Sequence, residues 1–127
     1  MNRPILAIIT VKTDCISVIN TAKFIAEKQN RKLCVLAVLP RKEEASVRSE
    51  TLKFLKAISQ TLDVDIVIRY SNNLAISAAA HAKQCNPVHI FLENDNMFLE
   101  NFMAIYNSAP ISVVSNSFVI TRSIKGA

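Results

Sequence analysis

The sequence predicts an α/β fold: one doubly wound parallel sheet of five strands in the order 3-2-1-4-5, with helices on both faces. Three observations predict it. Pro4 to Val11, PILAIITV, is an unbroken apolar run followed at once by polar residues, the pattern of a central strand covered on both sides. Two more short apolar runs, Leu33 to Leu39 and Val88 to Glu93, are bounded by Pro40 and Pro87. Between these runs the apolar residues recur at helical spacing, so the chain reads strand then helix four times over and closes on a strand. Parallel strands joined by right-handed helical crossovers wind into such a sheet.

Taken in order, Lys12-Thr13-Asp14 is a polar loop in which Thr13 or Asp14 can cap the first helix. Cys15, Val18, Ile19, Ala22, Ile25 and Ala26 then share one helical face. Gln29 to Lys32 turns the chain into the second strand, LCVLAVL, which Pro40 ends because proline cannot donate to a ladder. The charged segment Arg41 to Glu50 leads into a helix with Leu52, Leu55, Ile58 and Leu62 on one face. Asp63 to Arg69, DVDIVIR, alternates apolar and polar residues, as a strand near an edge does. Ser71, Asn72 or Asn73 can cap the third helix, where Ala75, Ala78, Ala79 and Ala82 allow close approach to the sheet.

Pro87 opens the fourth strand, VHIFLE, and Asn94 to Asn96 form a polar turn with capping residues. A helix from Met97 to Asn107 presents Phe98, Leu99, Phe102, Ile105 and Tyr106 as a wide apolar face. Pro110 introduces the fifth strand, ISVVS, and SFVIT leaves room for one extra C-terminal strand before the tail frays.

At 127 residues, 50% of them hydrophobic and 20% charged, the chain reads as one domain, residues 1–127, with a substantial core. No segment approaches the roughly 20 apolar residues of a membrane helix, and the start lacks signal-peptide character, so a cytoplasmic protein without membrane insertion is expected. The net charge of +5 is uneven: residues 1–56 hold eleven Lys and Arg against five acids, the remainder four against five. The basic residues are scattered along helices without interleaved aromatics, which fits a solvated face rather than a nucleic-acid site. Cys15, Cys34 and Cys85 have no metal-ligand spacing and no disulfide pattern, and Cys34 inside an apolar strand reads as a small hydrophobe.

Doubly wound sheets bind ligands at the carboxyl ends of the strands, where the winding reverses. The candidate crevice is therefore lined by Thr10, Lys12, Thr13, Asp14, Glu93, Asn94, Asp95 and Asn116, with Ser115 nearby. Its chemistry is limited by composition. A phosphate-cradling loop needs glycines for close backbone approach, and the only glycine is Gly126 in the tail. Neither a dinucleotide fingerprint nor a Walker loop is present. A phospho-receiver would need paired acids after the first strand and a lysine after the fifth, where Ile9-Thr10-Val11 and Ser115-Asn116 stand. A serine hydrolase would need a glycine-flanked elbow and a late histidine, whereas His81 and His89 fall in a helix and a strand and read as structural. Glu93 and Asp95 flank a helix start and read as capping and dipole partners. No catalytic residue, metal site or cofactor is expected.

The first strand and helix, the strand LCVLAVLP, the alanine-rich helix before PVHIFLE and the ending SAPISVVS resemble the universal stress protein family over nearly the whole chain. The most specific piece is Ala109 to Val114, similar to the family's Cys-Pro-Val entry into its last strand. ATP-binding members place an aspartate at the end of the first strand, where Thr10 stands. They also carry a Gly-x-x-Gly loop and a later Gly-Ser pair, where this chain has Leu92 to Asp95 and Met97-Phe98. None of that motif carries over, and the bulky Leu92, Met97 and Phe98 imply a closed crevice. Lys12 to Pro40 also resembles, without a gap, the stress-protein-like domain of bacterial potassium sensor kinases. The cyclic-dinucleotide motifs of some of those domains are absent, since Lys12-Thr13-Asp14 and Leu33 to Ala37 occupy their positions; Phe102 to Tyr106, FMAIY, imitates one of them from within a helix.

The resemblance implies a non-enzymatic, homodimeric stress-response or signalling module acting through protein contacts, with a transporter or kinase as partner. Its last strand and the segment after it, Ile111, Val113, Val114, Phe118 and Ile120, make the expected dimer edge. The alternative is a small-ligand sensor that binds a nucleotide or another anion at the crevice through Lys12 and the first amides of the first helix.

Overall fold

In a computed structural model the described residues are 3–11 and 14–115, together with the backbone of 119–122. Their order is β1 (Ile5–Ile9), α1 (Cys15–Lys28), β2 (Leu33–Pro40), α2 (Ala45–Leu62), β3 (Ile66–Ser71), α3 (Leu74–Cys85), β4 (His89–Glu93), α4 (Asn96–Ile105), β5 (Ile111–Val114) and β6 (Val119–Arg122). All strands join one sheet in the order β3-β2-β1-β4-β5-β6. The first five are parallel, as the sequence predicts, and β6 runs antiparallel to β5. Lys12, Thr13, Asn116, Phe118 and the tail with Gly126 lie outside the described residues, as does the side chain of Ile120.

All five residues of β1 are buried, and the strand period of two divides them between two cores. Leu6 and Ile8 join Leu36, Val38, Ile90 and Leu92 beneath α3 and α4, with Phe102 fully enclosed. Ile5, Ala7 and Ile9 join Val35, Ala37 and Leu39 beneath α1 and α2. Ala75, Ala78, Ala79 and Ala82 of α3 are buried and form its contact with the sheet. β3 is the edge its alternating pattern implies: Ile66 and Ile68 pack inward while Val67 is exposed.

Several boundaries differ from the sequence reading. α2 runs to Leu62, and Asp63 closes it in the left-handed region, with Val64 N–H donating to Ser59 O. Asp63 to Asp65 therefore belong to the helix exit, and β3 starts at Ile66. On α2 only Leu55 and Ile58 are fully buried; Leu52 faces solvent, because the helix covers the margin of the sheet rather than its centre. Asn30, Asp63 and Asn86 all take positive φ at helix exits. In a chain with one glycine, Asn and Asp supply the left-handed residues that helix ends need.

The fifth strand is not the outer edge. β6 pairs with it from Ile111↔Arg122 to Val114↔Val119, and Ile111, Val113 and Val114 are buried. The expected edge at those residues is closed by the chain's own return strand, and the margin of the sheet passes to β6, which includes Ile120. No described helix is long and apolar enough to cross a membrane.

Candidate functional site

The winding reverses between β1 and β4, since β2 and β3 lie to one side of them and β5 to the other. The register pairs Ile8 with Leu92, so Thr10, just past β1, and Glu93, the last residue of β4, meet at the carboxyl end of the sheet. The side chain of Glu93 is buried, 4% exposed. Its Oε1 accepts hydrogen bonds from the Thr10 backbone N–H at 2.5 Å and from Thr10 Oγ1 at 2.8 Å. A buried carboxylate needs such partners, because removing an anion from water without them is costly. Glu93 is thus a tie across the switch point rather than a helix cap, the role its sequence position suggests.

Two neighbours complete this end of the sheet. Cys15, the first residue of α1, is fully buried, and its thiol is pushed up to about 11, first by burial and then by the negative charge of Glu93. Val11, which follows Thr10, has φ 63°, a region that a β-branched residue occupies only under constraint from its surroundings. Its side chain packs against the α1 core. The helical stripe places Cys15 on a packed face, but its nearness to Glu93 escapes sequence reading, as does the strain at Val11, because backbone strain has no composition signal.

The other candidate residues are dispersed. Asp14 occupies the N-cap position of α1 but makes no side-chain capping bond. Asn94 is exposed, while Asp95 caps α4 by accepting from Phe98 N–H at 3.3 Å. Asp95 also lines a separate cavity of about 300 Å³ between the starts of α3 and α4, with Asn72, Asn73, Met97, Phe98 and Asn101. Asn73 caps α3 through Ile76 N–H at 3.1 Å. The bulky residues replacing the glycines divide: Leu92 and Phe98 are buried and close the interior, whereas Met97 is 76% exposed and lines the cavity at the starts of α3 and α4.

The histidines lie away from the crevice. His89 Nε2 is 2.7 Å from Ser112 Oγ, and its ring stacks on Phe91. Burial lowers its pKa, so the neutral form is favoured. No group of three or more potential metal ligands occurs among the described residues.

No family model and no curated protein matches the chain. Solved structures do match. A universal stress protein from Archaeoglobus fulgidus in complex with dAMP superposes with a TM-score of 0.67 at 16% identity, covering 88% of this chain and 97% of that one. A second structure of universal stress protein from the same organism gives a TM-score of 0.66 at 12% identity, over 91% and 96% of the two chains. The chain has a fold like that of the universal stress proteins. The similarity extends over nearly the full length of both chains, and at these identities it speaks for the universal stress fold alone.

Proposed function

We propose that this chain is a non-enzymatic module of the universal stress type, acting as a homodimer through protein contacts. The observation that carries this reading is the Glu93–Thr10 tie. In a doubly wound fold the amides at the end of the first strand face the ligand crevice, and here that amide is taken by an internal carboxylate. An acceptor oxygen at the switch point offers phosphate no donor, and the glycines that would let phosphate approach are missing. The homodimer reading rests on the sheet margin at β6, a strand edge of the kind that folds pair or cover. The partner class, a transporter or a sensor kinase in the cytoplasm, follows from the resemblance to stress proteins and to the stress-protein-like domain of potassium sensor kinases.

Native mass spectrometry of freshly purified protein tests both parts together. A dimer at micromolar concentration with no added mass, and a melting temperature unmoved by millimolar ATP, dAMP or cyclic dinucleotides, is the expected result. A monomer would overturn the dimer, and retained nucleotide would overturn the closed crevice.

A second reading, a small-ligand sensor, is favoured by the 300 Å³ cavity at the starts of α3 and α4 and by the dAMP bound to one protein of similar fold. Under it, dAMP raises the melting temperature and Asn72→Ala or Asn101→Ala abolishes the rise.

A further inference from the structure

The opposite end of the sheet holds a second cavity of about 480 Å³, larger than the one at the carboxyl ends. It lies where the strands begin, and its walls include Lys32, Cys34, Asp65, His81, Gln84 and Cys85. The topology explains why two cysteines far apart in sequence meet there. A crossover helix runs back along the sheet, so the last turn of α3, which ends at Cys85, arrives beside the start of β2, where Cys34 is the second residue. Both side chains pack on the same core cluster, and both are only partly buried. The two side chains line the same cavity, close enough for each thiol to shift the ionisation of the other.

The chemistry of the two sulfurs differs. Cys34 is held below the ordinary thiol range, chiefly by the neighbouring Cys85 thiol, with the Lys32 ammonium adding to the effect. Cys85 is held above it and keeps its proton. One turn before Cys85, His81 lines the same cavity, and its Nδ1 is buried with no hydrogen-bond partner. Burial first, and then the charge of Arg69, favour its neutral form. A thiolate beside a protonated thiol, with a neutral imidazole and room for a small molecule, is the arrangement of an oxidisable dithiol.

We propose that Cys34 and Cys85 form a peroxide-oxidisable dithiol, with Cys34 attacking and Cys85 resolving. The Cys34 thiolate attacks one oxygen of a hydroperoxide; the S–O bond forms, the O–O bond breaks, and the departing oxygen takes a proton and leaves as water or alcohol. The sulfur of Cys85 then attacks the Cys34 sulfenic acid. The S–S bond forms, the S–O bond breaks, and the hydroxide leaves as water with the proton of the Cys85 thiol. The dithiol loses two electrons and the peroxide gains them. A small thiol reductant restores the pair by exchange.

Hydrogen peroxide and the intact protein make the test. Of three free thiols, one is expected to remain after treatment. The denatured protein should lose the mass of two hydrogens, and a non-reducing peptide map should link Cys34 to Cys85 within one chain. Cys15, buried and with a raised pKa, is the internal control and stays reduced. In Cys85→Ser, dimedone should label Cys34; in Cys34→Ser, dimedone labelling should be lost. Three thiols surviving a peroxide excess, a link through Cys15, or a link between chains would overturn the proposal, and the wild-type map decides these whether or not a variant folds.

Discussion

Replacing Thr10 with valine removes one donor from the Glu93 carboxylate while keeping the shape of the side chain. The hydroxyl lies 2.8 Å from Oε1, and a hydrogen bond to a charged group contributes about 1.5–3 kcal/mol. Thr10 is half-buried, so water compensates part of the loss and the lower half of that range applies, about 1.5–2 kcal/mol. For a domain of this size that is a fall in Tm of about 5–7 °C. Glu93→Gln keeps an acceptor but removes its charge, and the two changes act on one contact. Urea unfolding of both single variants and the double variant measures their coupling, which should reach at least about 0.5 kcal/mol. A Thr10→Val loss below about 0.5 kcal/mol, or strict additivity with Glu93→Gln, would refute the view that this pair ties β1 to β4.

Further perturbations follow from the same packing. Phe102, fully enclosed, stacked on Phe98 and in tilted ring contact with Tyr106, should cost about 3–5 kcal/mol on truncation to alanine, whereas Met97→Ala on the exposed side of α4 should stay within about 0.5 kcal/mol; denaturant midpoints separate the two. Asn86→Ala forces alanine into a left-handed exit at φ 51° and should cost about 1 kcal/mol by the same assay. His81 and His89 both have pKa values lowered from 6.5 by burial. Below 6.5 the unfolded chain binds protons that the folded chain refuses, so this contribution to stability is complete above 6.5 and declines as pH falls through that value toward the folded pKa values. Unfolding free energies at pH 5 and 7.5 should show the decline, and His89→Gln should reduce its slope.

The fold was legible because its signals are local. PILAIITV cannot be half-exposed, the strand-helix alternation leaves little choice of winding, and DVDIVIR announces an edge by its period. The site was legible only in part. The positions of Thr10 after β1 and of Glu93 in β4 put both at the switch point, but an acid flanking a helix start reads as a capping and dipole partner. Asp95 does cap α4, and Glu93 turns instead toward Thr10. A strand's two faces and a side chain's reach across to the next strand are not encoded in spacing along one segment.

The closing strand shows the same division. SFVIT is visible as room for another strand, yet its partner and direction depend on whether the chain doubles back on β5 or meets a second molecule; here it doubles back. The sequence by itself determined the parallel sheet, its buried centre, its exposed edge at β3 and the absence of a glycine loop for phosphate, because burial period and backbone freedom are properties of residues in order. Only the tertiary structure decided that a carboxylate seals the switch point and that Cys34 and Cys85 line one cavity. Those contacts join residues more than fifty positions apart, brought together by a helix that returns along the sheet and by strands that lie side by side.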